Sequence, residues 1–254
     1  MNTQIDLNCD IGEGFGRWQL PADADLMELV TTVNVAAGFH AGDPSTLRAT
    51  VDRAAHRGLD IGAHVSLPDL VGFGRRRMDL SPQEAYDISL YQIAAVAGFA
   101  RAAGTGLTHV KPHGALYAMA SADAEIAHAI ARATAAFDDS LRLFLLDARF
   151  ADSIAADHSV QVEPEGFPDM AYAPDGQLVL ERSKQPWPPE RVAHRAVRMV
   201  TEAVVDADDD SEIPLRARTL CIHSDAPNAV LTARAVVDAF ATHDIALRAL
   251  SDFV

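Results

Sequence analysis

Residues 33–65 read V-N-V-A-A-G-F-H-A-G-D-P-S-T-L-R-A-T-V-D-R-A-A-H-R-G-L-D-I-G-A-H-V. The apolar run Val33–Ala37 predicts a strand, and Leu59–Val65 predicts another. Between them, Asp43-Pro44 supplies an N-cap and a proline at the first helical position, which predicts a helix running to about His56. Two strands joined by a crossover helix lie parallel. The same alternation extends outward in both directions. Further strands are predicted at Ile5–Asn8, Thr108–Lys111, Leu141–Leu146, Val160–Val162 and Leu220–His223, with a weaker one at Ile245–Leu247. Ser81-Pro82-Gln83-Glu84 reads as a capping box opening a helix to about Ala102, stopped by Gly104. Helices are also predicted at Ala122–Ala136, Ala148–Ala156, Pro189–Val205 and Ala226–Thr242. Seven or eight such units imply an α/β chain folded as a closed or nearly closed β/α barrel, with an open doubly wound sheet as the alternative. Residues 1–254 read as a single barrel domain. A proline-rich excursion interrupts the pattern at about residues 166–189, with a hairpin around Asp175-Gly176. Asp206–Glu212 reads as an acidic surface loop.

The 254 residues are 49% hydrophobic and 22% charged, the balance of a globular protein rather than a disordered one. No uncharged apolar run approaches the roughly 20 residues that span a bilayer. Met1–Asp10 lacks the basic, apolar pattern of a signal peptide, and Cys9 and Cys221 form no disulfide framework, so the expected compartment is the cytoplasm. The formal net charge is −15, which opposes binding to nucleic acid or anionic lipid. There are 26 Asp against 10 Glu, and 19 Arg against two Lys, a balance that suits a GC-rich genome or a high-salt cytoplasm. With lysine so rare, Lys111, inside a dense polar motif, is no surface filler.

Polar residues collect where the predicted strands end. Asn8-Cys9-Asp10-Ile11-Gly12-Glu13 follows the first, Gly38-Phe39-His40-Ala41-Gly42-Asp43 the second, and His64 the third, with Asp69 and Arg75 beyond it. Lys111-Pro112-His113 ends the fourth, and His223-Ser224-Asp225 ends a late one. Carboxyl ends of parallel strands share one mouth, where α/β active sites form. Five of ten histidines, at 40, 64, 109, 113 and 223, fall in these segments. Asp43 and Asp225 also read as plain N-caps. Gly12-Glu13-Gly14-Phe15-Gly16 lacks the spacing of a dinucleotide loop, and no G-x-x-x-x-G-K-[ST] run exists. Neither a G-x-S-x-G elbow nor an activated cysteine pair is present.

The stretches L-N-C-D-I-G-E-G-F-G (7–16), N-V-A-A-G-F-H-A-G-D-P (34–44), I-G-A-H-V-S-L-P-D-L-V-G-F-G-R-R (61–76), H-V-K-P-H-G-A-L-Y (109–117) and C-I-H-S-D-A-P (221–227) together resemble the LamB/YcsF family. The resemblance extends over nearly the whole chain. It implies a distorted seven-stranded β/α barrel akin to the polysaccharide-deacetylase barrels. It also implies the activity of a 5-oxoprolinase A subunit: opening of the lactam 5-oxoproline to glutamate, with ATP as co-substrate and two partner subunits of B and C type. Three positions depart from the family pattern. Ala37 stands for a cysteine, Met170 for an arginine, and Ser224 for the glycine of a late H-G-D.

Ring opening of a five-membered lactam needs coupling to ATP, and a chain without a phosphate loop leaves nucleotide binding to its partners. The chain's own task is then to bind the lactam and direct water at its carbonyl, which needs a base, an oxyanion stabiliser and orienting groups. Asp10 or Glu13 is the expected base. Lys111 is expected to stabilise negative charge or hold the substrate carboxylate, and His40, His64 and His113 to orient water or move protons. Asn8, Asp43, Asp69 and Arg75 are expected substrate contacts, with Asp169, His223 and Asp225 on the rim. Two rivals remain. One is a metal-dependent amidohydrolase or deacetylase-like enzyme acting on another cyclic amide, its divalent ion held by Asp10, His40 and His64. The other is a non-catalytic subunit that binds a small molecule.

Overall fold

Alternation along the first strand explains the architecture. In β1 (Gln4–Ile11) the side chains of Ile5, Leu7, Cys9 and Ile11 are buried, and so are those of Asp6, Asn8 and Asp10. Successive side chains of a strand point to opposite faces. One face of β1 therefore packs into the apolar core, and the other is buried although polar. A strand with two such faces needs helices on one side and hydrogen-bonding partners on the other. A computed structural model describes residues 3–20, 22–146, 149–181 and 184–253 and shows how both are met.

After β1 come α1 (Asp23–Leu26), β2 (Thr32–Ala36), α2 (Pro44–Arg57), β3 (Asp60–Val65), α3 (Pro82–Ala102), β4 (His109–Pro112), α4 (Gly114–Ala122), α5 (Ala124–Phe137), β5 (Arg142–Leu145), α6 (Ala151–His158) and β6 (Gln161–Gly166). The chain continues through α7 (Pro189–Thr201), β7 (Val204–Asp206), β8 (Glu212–Pro214), β9 (Thr219–His223), α8 (Ala229–Thr242) and β10 (Ala246–Leu247). Strands β1 to β6 pair in parallel in chain order, β6 pairs with β9, and β9 returns to β1 in the register Asp6↔Thr219 to Asp10↔His223. The result is a closed seven-stranded parallel barrel, with β10 added to the start of β1. The closed form, not the open sheet, is the one adopted. Among the described residues no helix is long and apolar enough to cross a membrane.

The polar faces meet inside the barrel and fill it in layers. At the bottom, Asp6 accepts hydrogen bonds from Thr31 Oγ1 at 2.7 Å, Thr32 Oγ1 at 2.5 Å and Thr219 Oγ1. Above it, Asn8 Nδ2 donates to Glu165 Oε1 at 2.8 Å and to Thr219 Oγ1 at 2.7 Å, and Asn34 Nδ2 donates to Asn8 Oδ1 at 2.7 Å. His109 Nε2 donates to Asn34 Oδ1 at 2.7 Å, and its ring stacks on Phe144. His109 reaches across β3 only because residue 62 is glycine: a Cβ there would lie 2.0 Å from His109 Nε2.

The helix starts at Asp43 and Ser81 form as expected. Asp43 Oδ1 accepts from Ser45 N and Thr46 N, and Ser81 and Glu84 complete the capping box. The hairpin of the excursion also forms, with Tyr172 bridged to Leu178 and Gly176 at φ +85°. Four boundaries differ from expectation. Helix α4 occupies the turn expected after His113-Gly114, and Asp123 then caps a separate α5. Helix α7 stops at Thr201, and Val204-Val205 enters an antiparallel ribbon with β8, so the acidic stretch is the turn of a ribbon. Arg198 ties that ribbon down through Asp206 and Glu212. Helix α8 begins at Ala229 rather than Ala226. Of the helix expected at Ala148–Ala156, residue 148 lies outside the described residues, and α6 begins at Ala151.

Candidate active site

The top layer of the lumen opens into a pocket at the carboxyl ends of the strands. Asp10, His64, Lys111 and His223 form its polar floor, and Phe167, Met170, Leu178 and Leu180 give it an apolar wall. Asp10 is the hub. Its Oδ1 accepts from Lys111 Nζ at 3.0 Å and Asn34 Nδ2 at 2.9 Å, and its Oδ2 lies 3.3 Å from His64 Nε2 and 3.7 Å from His223 Nε2. Burial alone would raise the Asp10 carboxyl, but His64 and Lys111 outweigh it and hold it well below the usual carboxylate range. Asp10 is therefore an anion at neutral pH. Lys111 is 2% exposed and lies 3.0 Å from Glu165 Oε1 and 2.9 Å from Cys221 Sγ. Burial would lower its ammonium, yet Asp10, Cys221 and Glu165 push it well above the ordinary lysine value.

Behind this floor stand His40, Glu13 and His113. The His40 and His113 rings stack at 3.9 Å, and Glu13 Oε1 lies 3.0 Å from His40 Nε2 and 3.4 Å from His113 Nδ1. Burial, then the nearby Asp10 and Asp225, raises the Glu13 carboxyl well above its ordinary value, so Glu13 holds a proton. Burial likewise lowers His40 and His113. The two carboxylates expected to compete as base thus differ by environment: Asp10 ionised, Glu13 protonated.

The hydrogen bonds also count protons. His64 Nδ1 faces Lys111 O at 3.1 Å and His113 Nε2 faces Phe73 O at 2.8 Å. Carbonyls only accept, so both of these nitrogens carry hydrogen. The remaining nitrogens, His64 Nε2 and His113 Nδ1, lie 2.9 Å apart, within hydrogen-bonding distance. Glycine at 74 permits this packing: its φ is +64°, and a Cβ would lie 2.3 Å from Ser66 Oγ and 2.8 Å from the His113 ring.

Glu13, His40, His64 and His113 are also a candidate metal group, with four donor atoms within 4.8 Å of one another. This set differs from the expected Asp10, His40 and His64: Glu13 and His113 take part, and Asp10 turns toward Lys111. A second group, Asp10, Cys221 and His223, already has the Lys111 ammonium between Asp10 and Cys221, and burial keeps the Cys221 thiol protonated.

On the rim, Arg75 lines the pocket and pairs with Asp225 at 2.7 Å, and the cap position of α8 is Asn228 rather than Asp225. Asp169 accepts from the His223 backbone N–H at 3.0 Å. Three of the expected contacts have other surroundings. Asn8 lies one layer below the pocket, wholly buried. Asp43 caps α2 and accepts from Gly16 N–H, away from the pocket. Asp69 holds its own loop through Gly72 N–H and Arg76. Glu165, Tyr117, Phe167 and Lys184 surround the floor and were not singled out from the sequence. For Lys184 a signal existed: it is the chain's other lysine. His56, His194, His243 and the His128–His158 pair are not among the pocket residues.

A model of the LamB/YcsF family matches residues 5–254. A protein from Thermus thermophilus, named as the A component of 5-oxoprolinase, is 46% identical over 248 residues, covering 97% of this chain and 99% of the relative. One of the same name from Bacillus subtilis is 42% identical over 251 residues, covering 98% of each. The crystal structure of a lactam utilization protein, also from Thermus thermophilus, superposes with a TM-score of 0.88 at 44% identity, covering 97% of this chain and 100% of the other.

Proposed function

The chain belongs to the LamB/YcsF family, and from that premise we propose that it is the lactam-opening subunit of an ATP-dependent 5-oxoprolinase. It works with two partner subunits in the cytoplasm and converts 5-oxoproline to glutamate. One observation carries the reading: an ionised carboxylate, Asp10, and a buried ammonium, Lys111, stand 3.0 Å apart on the floor of a half-apolar pocket. The apolar wall suits the ring methylenes, and the floor suits attack of water on the carbonyl. Asp10 takes the proton of the attacking water, and Lys111 faces the oxygen on which negative charge develops. His223, 3.7 Å from Asp10, relays the proton to the ring nitrogen as the C–N bond breaks. Glu13, His40 and His113 hold His64 in place from behind. ATP is the partners' substrate, since this sequence has no phosphate loop.

The test is reconstitution. The chain alone is expected to hydrolyse neither ATP nor 5-oxoproline, and the complex is expected to form glutamate with ATP consumption. Asp10→Asn should cut turnover by at least about 100-fold. Glutamate formation by the isolated chain without ATP, or full turnover in Asp10→Asn, would overturn the assignment.

A second reading has its own observation. The outward nitrogens of His64 and His113 are held by backbone carbonyls while their inward nitrogens converge with Glu13 and His40. That is how proteins orient metal-binding histidines, and the donor set fits a divalent ion of the zinc class. Such an ion would supply Lewis acidity beside Asp10 on a cyclic amide. Elemental analysis decides. A direct His64–His113 hydrogen bond predicts no stoichiometric metal, whereas one ion per chain, with a chelator lowering the melting temperature, supports the metal.

A further inference from the structure

The proton relay through His223 needs a lone pair on Nε2, and the pocket as it stands denies it one. His223 Nδ1 is contested by two groups of opposite demand. Lys184 Nζ lies 2.7 Å away and, as an ammonium, can only donate to it. Asp169 lies 3.0 Å away and can only accept from it. With Lys184 in contact, Nδ1 is the acceptor, and the single hydrogen of the neutral ring sits on Nε2. Asp169 does not need the ring proton, because it already accepts from the His223 backbone N–H at 3.0 Å and from Lys184 at 3.3 Å. Lys184 stands in the pocket wall at the end of the excursion, beside Leu178 and Leu180, and is 9% exposed. Of the other cations there, Lys111 is held by two carboxylates and Arg75 by Asp225.

We propose that Lys184 reads the carboxylate of the lactam substrate and that its transfer to that carboxylate switches the tautomer of His223. This rests on the lactam reading above. As the ammonium turns to the substrate anion, Nδ1 takes a proton from pocket water and keeps it in a hydrogen bond to Asp169, and Nε2 returns one to water. The net proton count is unchanged. Nε2 then carries the lone pair that receives the proton from Asp10, so only a lactam bearing a carboxylate arms the relay. Lys184 is a positioning residue: it recognises the substrate and acts on the chemistry through His223.

The test compares 5-oxoproline with 2-pyrrolidinone, the same ring without the carboxylate, in the wild type, Lys184→Met and Lys184→Arg. Calorimetry reads affinity, and ¹⁵N NMR of the imidazoles, with His223→Gln identifying the signal, reads the tautomer. In the wild type, His223 should carry its hydrogen on Nε2 when free and with 2-pyrrolidinone, and on Nδ1 with 5-oxoproline. Lys184→Met should hold the Nδ1–H form throughout and lose the preference for 5-oxoproline, about 10- to 150-fold for one charge-assisted hydrogen bond. Lys184→Arg should keep that preference. An unchanged preference in Lys184→Met, or one tautomer in all wild-type samples, overturns the proposal and leaves the lactam reading standing. The wild-type spectra decide even if a variant fails to fold. A wild type that binds neither ring overturns both.

Discussion

Lys111→Met should lower the melting temperature by about 6–20 °C and reduce lactam turnover in the reconstituted complex by at least about 100-fold. Methionine keeps much of the volume but leaves Asp10 and Glu165, each 3.0 Å from the ammonium, as buried carboxylates without their cation. Removing one partner of a buried pair costs about 3–5 kcal/mol, and each kcal/mol moves the midpoint of a chain this size by about 2–4 °C. Glu165 keeps one hydrogen bond, from Asn8 Nδ2 at 2.8 Å, whereas Asp10 keeps Asn34, His64 and a long contact from Cys221 Sγ. Much of the loss should therefore come from Glu165. The double variant Glu165→Gln/Lys111→Met should regain much of the stability and none of the turnover. Calorimetry of both variants with the turnover assay separates the two roles. A single variant as stable as the wild type would mean that Lys111 does not neutralise the lumen.

Asp6→Asn should stabilise the protein at alkaline pH by an amount that shrinks toward acid. Burial raises the Asp6 carboxyl from 3.8 to about 7, although the hydroxyls of Thr219, Thr32 and Thr31 pull it down. Here the folded value lies above the unfolded one. From about pH 4 to pH 7 the folded chain holds a proton that the unfolded chain has released, so stability falls as pH rises, by up to about 1.4 kcal/mol per unit. The full cost, reached above pH 7, is about 4 kcal/mol, and about 2–3 kcal/mol of it accrues between pH 5 and pH 8. Asparagine carries no such dependence and can still hydrogen-bond the threonines. Urea unfolding of both proteins at pH 5 and pH 8 checks it. An equal difference at the two pH values would show that Asp6 is not the titrating group.

The order of elements was legible because helix starts and strand runs are local. Asp43 and Ser81 cap their helices with backbone groups two or three residues away, so the signal and its partner share a short window. The missed boundaries have tertiary causes. Helix α7 ends early because Val204-Val205 pairs with a strand eight residues on, and Arg198 anchors the ribbon from outside it. Much of the site was also legible, since strand ends that share a mouth bring Asp10, His64, Lys111 and His223 together.

What the sequence determined by itself was the strand–helix alternation, hence parallel strands and a mouth, and the residue types that gather there. It could not determine charge state or rank. Whether Asp10 or Glu13 is ionised depends on which of them lies against His64 and Lys111, and that ammonium comes from a strand 101 residues away. Whether Asn8 meets substrate or supports the lumen depends on Glu165 and Thr219, 157 and 211 residues distant. Lys184 becomes part of the site only when the excursion folds back over His223. Electrostatic energy and desolvation depend on distances of a few ångströms in space, and only closure of the barrel sets those distances.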